Sequence, residues 1–384
     1  SGQGGAGARA LRRVRAQACA SRYAIARRLA SVLNPENLQE QIRQAAGRHA
    51  VLRIRGGGTK DFYGNELHGE LLDTRGYAGV VAYEPTELVV TARCGTLLSD
   101  LHALLAEHGQ FLAFEPPGFG PAATLGGCVA AGLSGPRRAS AGALRDFVLG
   151  AKIVDGRGQL LAFGGQVMKN VAGYDVSRLL AGSLGTLGLI LEVSLKVLPR
   201  PAAERTLRLE MPQAKALENL NRWAGRPLPI SASIWRDGEL GLRLSGAAGA
   251  IAEAAQKLGG ETVAPQEAAR LWDGVREQSD PFFAGDAPLW RLSLPAHAPV
   301  LELPGEQLLE WGGALRWLKC GAEAATLRAA AARGGGHATL FRAAAKPAGA
   351  FAPLPPVLAR LHRELKQAFD PAGILNPRRL YAEF

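Results

Sequence analysis

Residues 51–60 read Val-Leu-Arg-Ile-Arg-Gly-Gly-Gly-Thr-Lys, an apolar strand pattern that runs directly into three consecutive glycines. Consecutive glycines allow successive backbone N–H groups to converge on one anion, an arrangement suited to a pyrophosphate. The segment is not a Walker A loop, which needs Gly-Lys-Ser/Thr, and it is not a dinucleotide fingerprint, because residues 61–64 do not continue as a helix. On its own the loop indicates either a phosphate site or an ordinary glycine-rich turn.

Two further glycine clusters follow in the same half of the chain, where residues 36–200 hold 26 of the 48 glycines. The second cluster, within residues 116–135, offers backbone amides and small hydroxyls that suit an extended polar cofactor. Arg137, Arg138 and Arg145 beyond it are candidates to offset phosphate charge, unless the segment is a surface loop with scattered arginines. The third cluster, Gly-Ser-Leu-Gly-Thr-Leu-Gly at residues 182–188, passes into a strand and can place backbone against a flat ligand.

Periodicity predicts alternating strands and helices in the first half. Thr96 is predicted as the N-cap of a helix that ends at Gly109. The sequence Asp-Gly-Arg-Gly at residues 155–158 predicts a hairpin. A first helix is predicted to end near Gly47, and the predicted strands are Val51–Arg55, Val80–Glu84, Leu88–Arg93, Val148–Asp155, Gln159–Phe163 and Leu187–Leu198.

The second half has a different texture. Pro199 and Pro201 mark the predicted boundary, and residues 206–258 follow the order β-α-β-β-α of a ferredoxin-like sheet. A less clear second set over residues 267–333 indicates a duplication, and a final helix covers Leu354–Phe369. The predicted segments are an Arg-rich arm at 1–35, a first domain at 36–200, a second domain at 201–345, and a C-terminal segment at 346–384 that returns to the first domain.

The charge balance of 45 Lys+Arg against 34 Asp+Glu first suggests nucleic acid or an anionic membrane surface as a partner. Seven of the arginines lie within residues 1–35, which contain no acid, so the remaining chain is only mildly basic. We therefore expect no nucleic-acid partner. The glycine-rich start of the arm is interpreted as a cloning remnant, and the rest as a solvated or poorly ordered helix, with a targeting peptide as the alternative.

The cysteines and histidines predict no metal site. The four cysteines, Cys19, Cys94, Cys128 and Cys320, form no Cys-x-x-Cys pair, and the seven histidines form no metal-binding pair at helical spacing. Reduced thiols in the cytoplasm are therefore expected.

The glycine clusters together resemble flavoproteins of the p-cresol methylhydroxylase/vanillyl-alcohol oxidase (PCMH/VAO) type. The motifs Arg-Gly-Gly-Gly-Thr-Lys, Ala-Thr-Leu-Gly-Gly, Gly-Leu-Ser-Gly-Pro-Arg-Arg and Gly-Ser-Leu-Gly-Thr-Leu-Gly occur in the order of that family. The segment from Phe163 to Leu179 is similar to the FAD-binding E subunits of bacterial glycolate oxidases, and Phe-Asp-Pro-x-x-Ile-Leu-Asn-Pro near the C-terminus is a second anchor. The resemblance implies an α+β fold, with FAD held across two α+β subdomains and a ferredoxin-like α+β cap domain over the flavin.

The resemblance also implies which residues hold FAD. Residues 56–60 would wrap the pyrophosphate, the second cluster would line the ribityl and flavin region, and the third would meet the adenosine side or its adjoining strand. The predicted cofactor-binding residues are Arg55, Gly56, Gly57, Gly58, Thr59, Lys60, Pro117, Gly118, Thr124, Leu125, Gly126, Gly127, Ser134, Arg137, Arg145, Asp146, Gly182, Ser183, Thr186, Ile190 and Asn376.

Three departures from the wider family are informative. Thr59 stands where covalent members carry a histidine, so non-covalent FAD is expected. Leu184 replaces a commoner acid. The 2-hydroxy-acid-oxidising relatives carry a His-x-Gly-Asp-Gly-Asn-x-His signature in the cap, whereas this chain offers only His337 with Arg342 nearby, so its catalytic residues are not assigned.

The favoured hypothesis is an FAD-binding subunit of a glycolate oxidase, which takes part in oxidation of glycolate to glyoxylate. Implied partners are a catalytic FAD subunit and an iron–sulfur subunit that receives the electrons, with the 2-hydroxy acid reached through the complex. Peripheral association with the cytoplasmic face of the inner membrane is a further expectation. One alternative is a self-sufficient 2-hydroxy-acid dehydrogenase, in which His337, Arg342, Arg291 or Arg316 holds the substrate carboxylate. Another is a non-catalytic scaffold that retains the flavin fold.

Overall fold

The computed structural model describes residues 34–165 and 175–384. Residues 1–33 of the predicted arm lie outside the described residues. So do residues 166–174, which belong to the segment that resembles the E subunits. Within the described ranges, no helix has both the length and the apolar composition that crossing a bilayer requires.

The first subdomain is built on a helix and a parallel strand pair. Helix α1, Pro35–Gly47, begins where Asn34 Oδ1 accepts the Asn37 amide at 2.8 Å, and it buries Leu38, Ile42 and Ala45. Strand β1, Leu52–Arg55, pairs in parallel with β2, Glu70–Asp73, a strand that the sequence analysis did not predict. The glycine loop therefore leaves the end of β1.

The second subdomain is a five-stranded antiparallel sheet in the order β3-β4-β8-β6-β7. Every residue of β8 except the last is buried, because the strand is central and covered on both faces. The strands are β3 Val80–Glu84, β4 Val89–Arg93, β6 Val148–Val154, β7 Leu160–Gly164 and β8 Leu189–Lys196, and a short pair joins β5 Gln110–Phe111 to β9 Leu198–Pro199. The helices are α2 Leu98–Glu107, α3 Leu125–Ala131, α4 Arg138–Ala141, α5 Leu144–Phe147 and α6 Val176–Leu179.

The strands and the hairpin predicted for this half are confirmed, but the role of Thr96 is wrong. Asp155 Oδ1 accepts the amides of Arg157 and Gln159, which closes the predicted β6–β7 turn. Helix α2 begins at Leu98 without a side-chain cap, because the Thr96 hydroxyl bonds to the amide and carbonyl of Gly79 instead. The Thr96 hydroxyl therefore bonds to a residue that is distant in the sequence and does not cap the helix.

The cap domain is a duplicated ferredoxin-like sheet of eight antiparallel strands, in the order β13-β10-β12-β11-β15-β16-β14-β17. The two halves meet where β11 pairs with β15, at Ile234↔Glu310. The second half has no helix between its first two strands. The strands are β10 Ala203–Glu210, β11 Ile230–Arg236, β12 Glu239–Gly246, β13 Glu261–Thr262, β14 Leu289–Ser293, β15 Glu306–Glu310, β16 Leu315–Lys319 and β17 His337–Arg342.

Helices cover one face of the cap sheet, and the first domain covers part of the other. Helices α7 Gln213–Ala224, α8 Ala248–Leu258 and α10 Ala324–Arg333 pack on the first face. The opposite face shares a hydrophobic cluster with Tyr63, Leu133 and Leu184 of the first domain, and helix α9, Pro265–Glu277, contributes to it. The predicted α+β fold with a ferredoxin-like cap is confirmed, while the exact limits of the predicted domains stay predictions.

The C-terminal segment lies against the first domain. Helix α11, Pro356–Phe369, ends at Asp370, and the Lys366 ammonium lies 2.7 Å from the Asp370 carboxylate in a buried pair. The amides of Ile374 and Leu375 donate to the same carboxylate. Leu52 of β1 then donates to the Ile374 carbonyl and accepts the Asn376 amide, so this segment continues the parallel pairing of β1.

Removing the Asp370 carboxylate is expected to destabilise the whole first domain. D370A leaves a buried ammonium without its counter-ion and should lower the free energy of unfolding by about 3–5 kcal/mol. Urea denaturation followed by circular dichroism measures the change. R363A, which breaks the exposed Arg363–Glu383 pair, is the control and should cost less than about 0.5 kcal/mol. Equal effects from the two variants would contradict a structural role for the buried pair.

Candidate functional site

A cleft in the first domain brings the three glycine clusters together. Its walls are residues within 54–61, 124–131 and 184–190, together with Leu67, Thr74, Cys94, Asn376 and Arg379. Since these segments are far apart in the sequence, only the packing of the two subdomains and the C-terminal segment assembles the cleft.

The loop from Gly56 to Lys60 presents unused hydrogen-bond donors to this cleft. Within the described part of the chain, none of its five backbone amides donates to a protein acceptor. A side chain on Gly57 would place its Cβ 1.6 Å from the Ala122 carbonyl oxygen, and one on Gly56 would lie 2.2 Å from Thr124 Oγ1. The backbone must therefore be bare here, and several N–H groups beside one another form an anion-binding nest.

Two arginines hold this loop in shape. The Arg55 guanidinium lies 2.7 Å from the Asp61 carboxylate and packs against Gly58, whose φ of +74° is a left-handed conformation. Arg379 donates to the backbone carbonyls of Asp61 and Asn65. Arg379 was not among the predicted site residues, and its only sequence signal is its place after Asn-Pro in the C-terminal anchor.

Lys60 brings a positive charge to the end of the loop. Its ammonium donates to the Gly118 carbonyl at 3.1 Å and lies 5.5 Å from the centroid of the Phe119 ring. Burial lowers the pKa of Lys60 below its usual value. No carboxylate of the described residues forms an ion pair with it, so this charge is available to an anion in the cleft.

The second wall is the start of helix α3. Thr124 is its N-cap and accepts the Gly127 amide at 3.4 Å. The amides of Leu125 and Gly126 donate to the carbonyls of Thr96 and Cys94, so they are already engaged. Gly126 is needed for close packing, because a Cβ there would lie 2.6 Å from Cys94 Cβ.

Asn376 braces the third wall. Its side-chain oxygen accepts the Ile54 amide and its side-chain nitrogen donates to the Leu184 carbonyl, both at 2.7 Å. Leu184 and Gly185 both adopt positive φ, and a Cβ on Gly185 would lie 2.8 Å from Asn376 Nδ2. One buried side chain thus connects β1 to the turn on the opposite side of the cleft.

Two family models match the chain. One, described as an FAD binding domain, covers residues 26–164, and the other, described as the C-terminal domain of FAD linked oxidases, covers residues 353–380. Among solved structures, two crystal forms of alkyldihydroxyacetonephosphate synthase superpose with TM-scores of 0.62 and 0.60 at 15% identity, and the first covers 89% of this chain and 75% of the other.

The sequence relatives are closer. The glycolate oxidase subunit GlcE of Escherichia coli is 50% identical over 346 residues, which cover 90% of this chain and 97% of that protein. The chain belongs to the GlcE family of glycolate oxidase subunits. Subunit GlcD of Bacillus subtilis is 32% identical over 128 residues, 33% of this chain and 27% of that protein, and a D-lactate dehydrogenase of Archaeoglobus fulgidus is 28% identical over 228 residues, 56% of this chain and 50% of that protein.

As a GlcE-family chain this protein is an FAD-dependent oxidoreductase subunit, and the predicted cofactor is confirmed. The cleft fits FAD in its chemistry, since five free amides and the Lys60 ammonium meet what a pyrophosphate requires. Of the predicted FAD-binding residues, the cleft is lined by Arg55, Gly56, Gly57, Gly58, Thr59, Lys60, Thr124, Gly126, Gly127, Ile190 and Asn376.

The other predicted residues lie elsewhere. Leu125 is buried in the core under α3, and Asp146 and Arg145 are exposed on α5, where the Asp146 carboxylate accepts the Ala143 amide. Gly182, Ser183 and Thr186 form the turn behind Leu184, with the side chains of Ser183 and Thr186 buried. Three residues, Pro117, Gly118 and Ser134, line neighbouring cavities on the side of the cap.

Arg137 is placed at the domain interface rather than in the cleft. Its guanidinium donates to Glu115 at 3.3 Å and also pairs with Glu204 of the cap, while Arg243 of the cap lies 2.9 Å from the same Glu115 carboxylate. Both arginines are buried. Arg137 therefore already has carboxylate partners and connects the two domains.

The residues that were predicted to hold the substrate carboxylate do not lie around one common site. Arg316 is buried and donates to the carbonyls of Gly313, Pro299 and Ala298, which is a structural role. Arg342 donates to Gln278 at 2.8 Å, Arg291 lies over the Trp311 ring, and His337 is exposed at the start of β17. These placements give no common carboxylate clamp.

Glu310 is a buried acid that the sequence analysis missed. Trp317 Nε1 donates to its carboxyl at 2.7 Å, and burial raises the pKa of Glu310 to about 7. Arg291 opposes this shift and Glu115 adds to it. The only local signal was an acid directly after the two leucines of β15, which sequence alone does not distinguish from an exposed acid.

The raised pKa of Glu310 predicts a pH-dependent stability. Because its pKa is about 7 in the folded state and about 4.5 when unfolded, the folded state binds more protons between these values. The free energy of unfolding of the native chain should therefore fall relative to E310Q as the pH rises from about 4.5 to about 7, and the difference should be constant above that range. Urea titrations from pH 5 to 8 measure it, with E306Q at the exposed end of β15 as the control. Parallel curves for native chain and E310Q would contradict the prediction.

Because Gly57 has no room for a side chain, we expect a substitution at this position to weaken FAD binding. G57A forces the loop away from the Ala122 carbonyl and should weaken FAD binding about tenfold or more, the effect of losing one charge-assisted hydrogen bond. Quenching of flavin fluorescence on addition of apoprotein measures the affinity. G47A, where an added Cβ meets no atom within 4 Å, should bind FAD like the native chain. Unchanged affinity in G57A would show that this loop does not contact the cofactor.

Proposed function

We propose that the loop from Gly56 to Lys60 binds the pyrophosphate of FAD, and that the chain carries electrons within a glycolate-oxidising complex. The observation that carries this proposal is the set of five amides that have no protein acceptor among the described residues, on a loop whose three glycines leave no room for a side chain. Full-length similarity to a glycolate oxidase subunit supports the choice of complex.

Each wall of the cleft has a part in this proposal. Lys60 and the loop amides neutralise and bind the phosphates, while Arg55 and Arg379 keep the loop in its conformation. Thr124 and Gly126 let the start of α3 approach the cofactor closely, and Asn376 fixes the opposite wall. FAD supplies the redox chemistry when bound, and the protein contributes binding, orientation and exclusion of water.

Non-covalent attachment follows from the chemistry of Thr59. This residue lines the cleft next to the three glycines, and its hydroxyl is a poor nucleophile compared with the histidine imidazole of covalent relatives. We therefore assign no covalent bond between this loop and the flavin.

The partners are proposed from the subunit naming of the relatives. The E. coli relative is a subunit of glycolate oxidase, and GlcD is the name of another such subunit. We propose that this chain works with a GlcD-like flavoprotein that oxidises the 2-hydroxy acid, and that it passes electrons towards an iron–sulfur subunit. The dispersed positions of Arg316, Arg342 and His337 favour this division of labour over substrate oxidation by this chain alone.

Co-purification tests the proposed function. An affinity tag on this chain, expressed together with its neighbouring subunits, should recover a GlcD-like flavoprotein and an iron–sulfur protein, with flavin present in the tagged chain itself. A tagged chain without flavin absorbance, even after incubation with FAD, would overturn the proposal. A yellow chain recovered without partners would overturn only the assembly.

The same preparation tests the mode of attachment. Precipitation with trichloroacetic acid should release all of the flavin into the supernatant, because no covalent bond retains it. Flavin that stays with the protein pellet would contradict the assignment of Thr59.

A further inference from the structure

A carboxylate of the cap domain is bound by a loop at the start of the second glycine cluster of the first domain. Glu277 Oε2 accepts the Gly118 amide at 3.0 Å and the Phe119 amide at 2.8 Å. Glu277 is the last residue of α9 in the cap domain, whereas Gly118 and Phe119 belong to the first domain. Two successive amides that converge on one carboxylate oxygen form the same kind of nest that binds anions elsewhere.

The position of Glu277 on its helix is unfavourable by itself. A negative side chain at a helix C-terminus faces the negative end of the helix dipole. Its other oxygen, Oε1, accepts from Arg276 Nε at 2.9 Å, and the side chain is about one-third exposed. The two loop amides offset this repulsion, so the contact between the domains explains why an acid lies there.

The loop that Glu277 holds is conformationally strained. Glu115 and Phe119 both adopt left-handed backbone conformations, with φ of +47° and +54°, although neither is glycine. Such conformations persist where the surroundings over-determine them. Arg243 of the cap binds the Glu115 carboxylate at one end of the loop, and Glu277 binds the amides at the other, so the cap holds both ends.

The same loop is what Lys60 contacts. The Lys60 ammonium donates to the Gly118 carbonyl, the residue whose amide binds Glu277, and it lies over the Phe119 ring. Phe119 in turn packs edge-on against Phe62, four residues beyond Gly58. A shift of the loop would therefore move the ammonium that lines the cofactor cleft.

We propose that Glu277 is a positioning residue through which the cap domain fixes Lys60 for the anionic part of FAD. The proposal rests on the proposed function, since it takes Lys60 as a group that contacts the cofactor. It makes FAD affinity depend on cap contacts that lie outside the cleft.

A double-mutant cycle on the apoprotein tests this inference. E277A should weaken FAD binding about tenfold, consistent with the loss of charge-assisted hydrogen bonds. If Glu277 acts through Lys60, the double variant E277A/K60M should bind FAD no more weakly than K60M alone. Fluorescence quenching gives the affinities, and the visible spectrum of the bound flavin should change in E277A. E267Q, on the same helix but paired outward with Arg208, is the matched control and should leave FAD affinity unchanged.

The outcomes separate this inference from the proposed function. If the native chain binds no FAD, the proposed function is overturned. If the native chain binds FAD and the E277A variant binds it with the same affinity, only the role of Glu277 is overturned. Additive losses from E277A and K60M would show that Glu277 acts on stability in general and not through Lys60. If thermal melting shows that E277A does not fold, E277Q replaces it. E277Q keeps an acceptor oxygen without the charge, so it should give a smaller loss that is equally non-additive with K60M.

Discussion

The buried pair between Lys366 and Asp370 is the interaction on which the cofactor cleft depends. The Asp370 carboxylate is fully enclosed, and it accepts two backbone amides in addition to the ammonium. Lys366 also donates to the carbonyls of Thr186 and Leu375. A buried ion pair is tolerated only when its remaining hydrogen-bonding groups are satisfied, and here they are satisfied by the segments that must be brought together. The pair thus joins the C-terminal helix to the turn that forms one wall of the cleft.

From this anchor, the C-terminal segment reaches the glycine loop and the wall at Leu184. It pairs with β1 at Leu52, places Asn376 between Ile54 and Leu184, and brings Arg379 under the glycine loop. A glycine-rich loop has little conformational preference of its own, because glycine has no Cβ and can adopt more backbone conformations than other residues. The contacts from outside the loop give it one conformation, and within the described residues its amides have no protein acceptor, which leaves them free for a ligand.

Ion pairs of two buried arginines connect the first domain to the cap domain. Arg137 and Arg243 share the Glu115 carboxylate, and Glu277 returns a carboxylate to the loop on the other side of Pro116 and Pro117. Each domain thus contributes an arginine that pairs with a carboxylate of the other domain, Arg137 with Glu204 and Arg243 with Glu115. Arg137, which the sequence suggested for phosphate binding, is used at this interface, whereas Lys60 lines the cleft together with Arg55 and Arg379.

The sequence by itself determined the strands and helices with strong periodicity, the hairpin at Asp155, the FAD-binding family and the position of the glycine loop after β1. These features depend on local chain geometry and on the positions of glycines, which the sequence states directly. Only the tertiary structure decided the role of Thr96, the place of Arg137, the buried state of Glu310 and the contribution of Arg379. Thr96, Arg137 and Arg379 bond to partners more than ten residues away, and Glu310 bonds to Trp317 on the neighbouring strand β16. A hydroxyl, a carboxyl or a guanidinium can satisfy its hydrogen bonds equally well with a local or a distant group. The choice between those partners is made by packing, because the buried position with the most satisfied polar atoms has the lowest free energy.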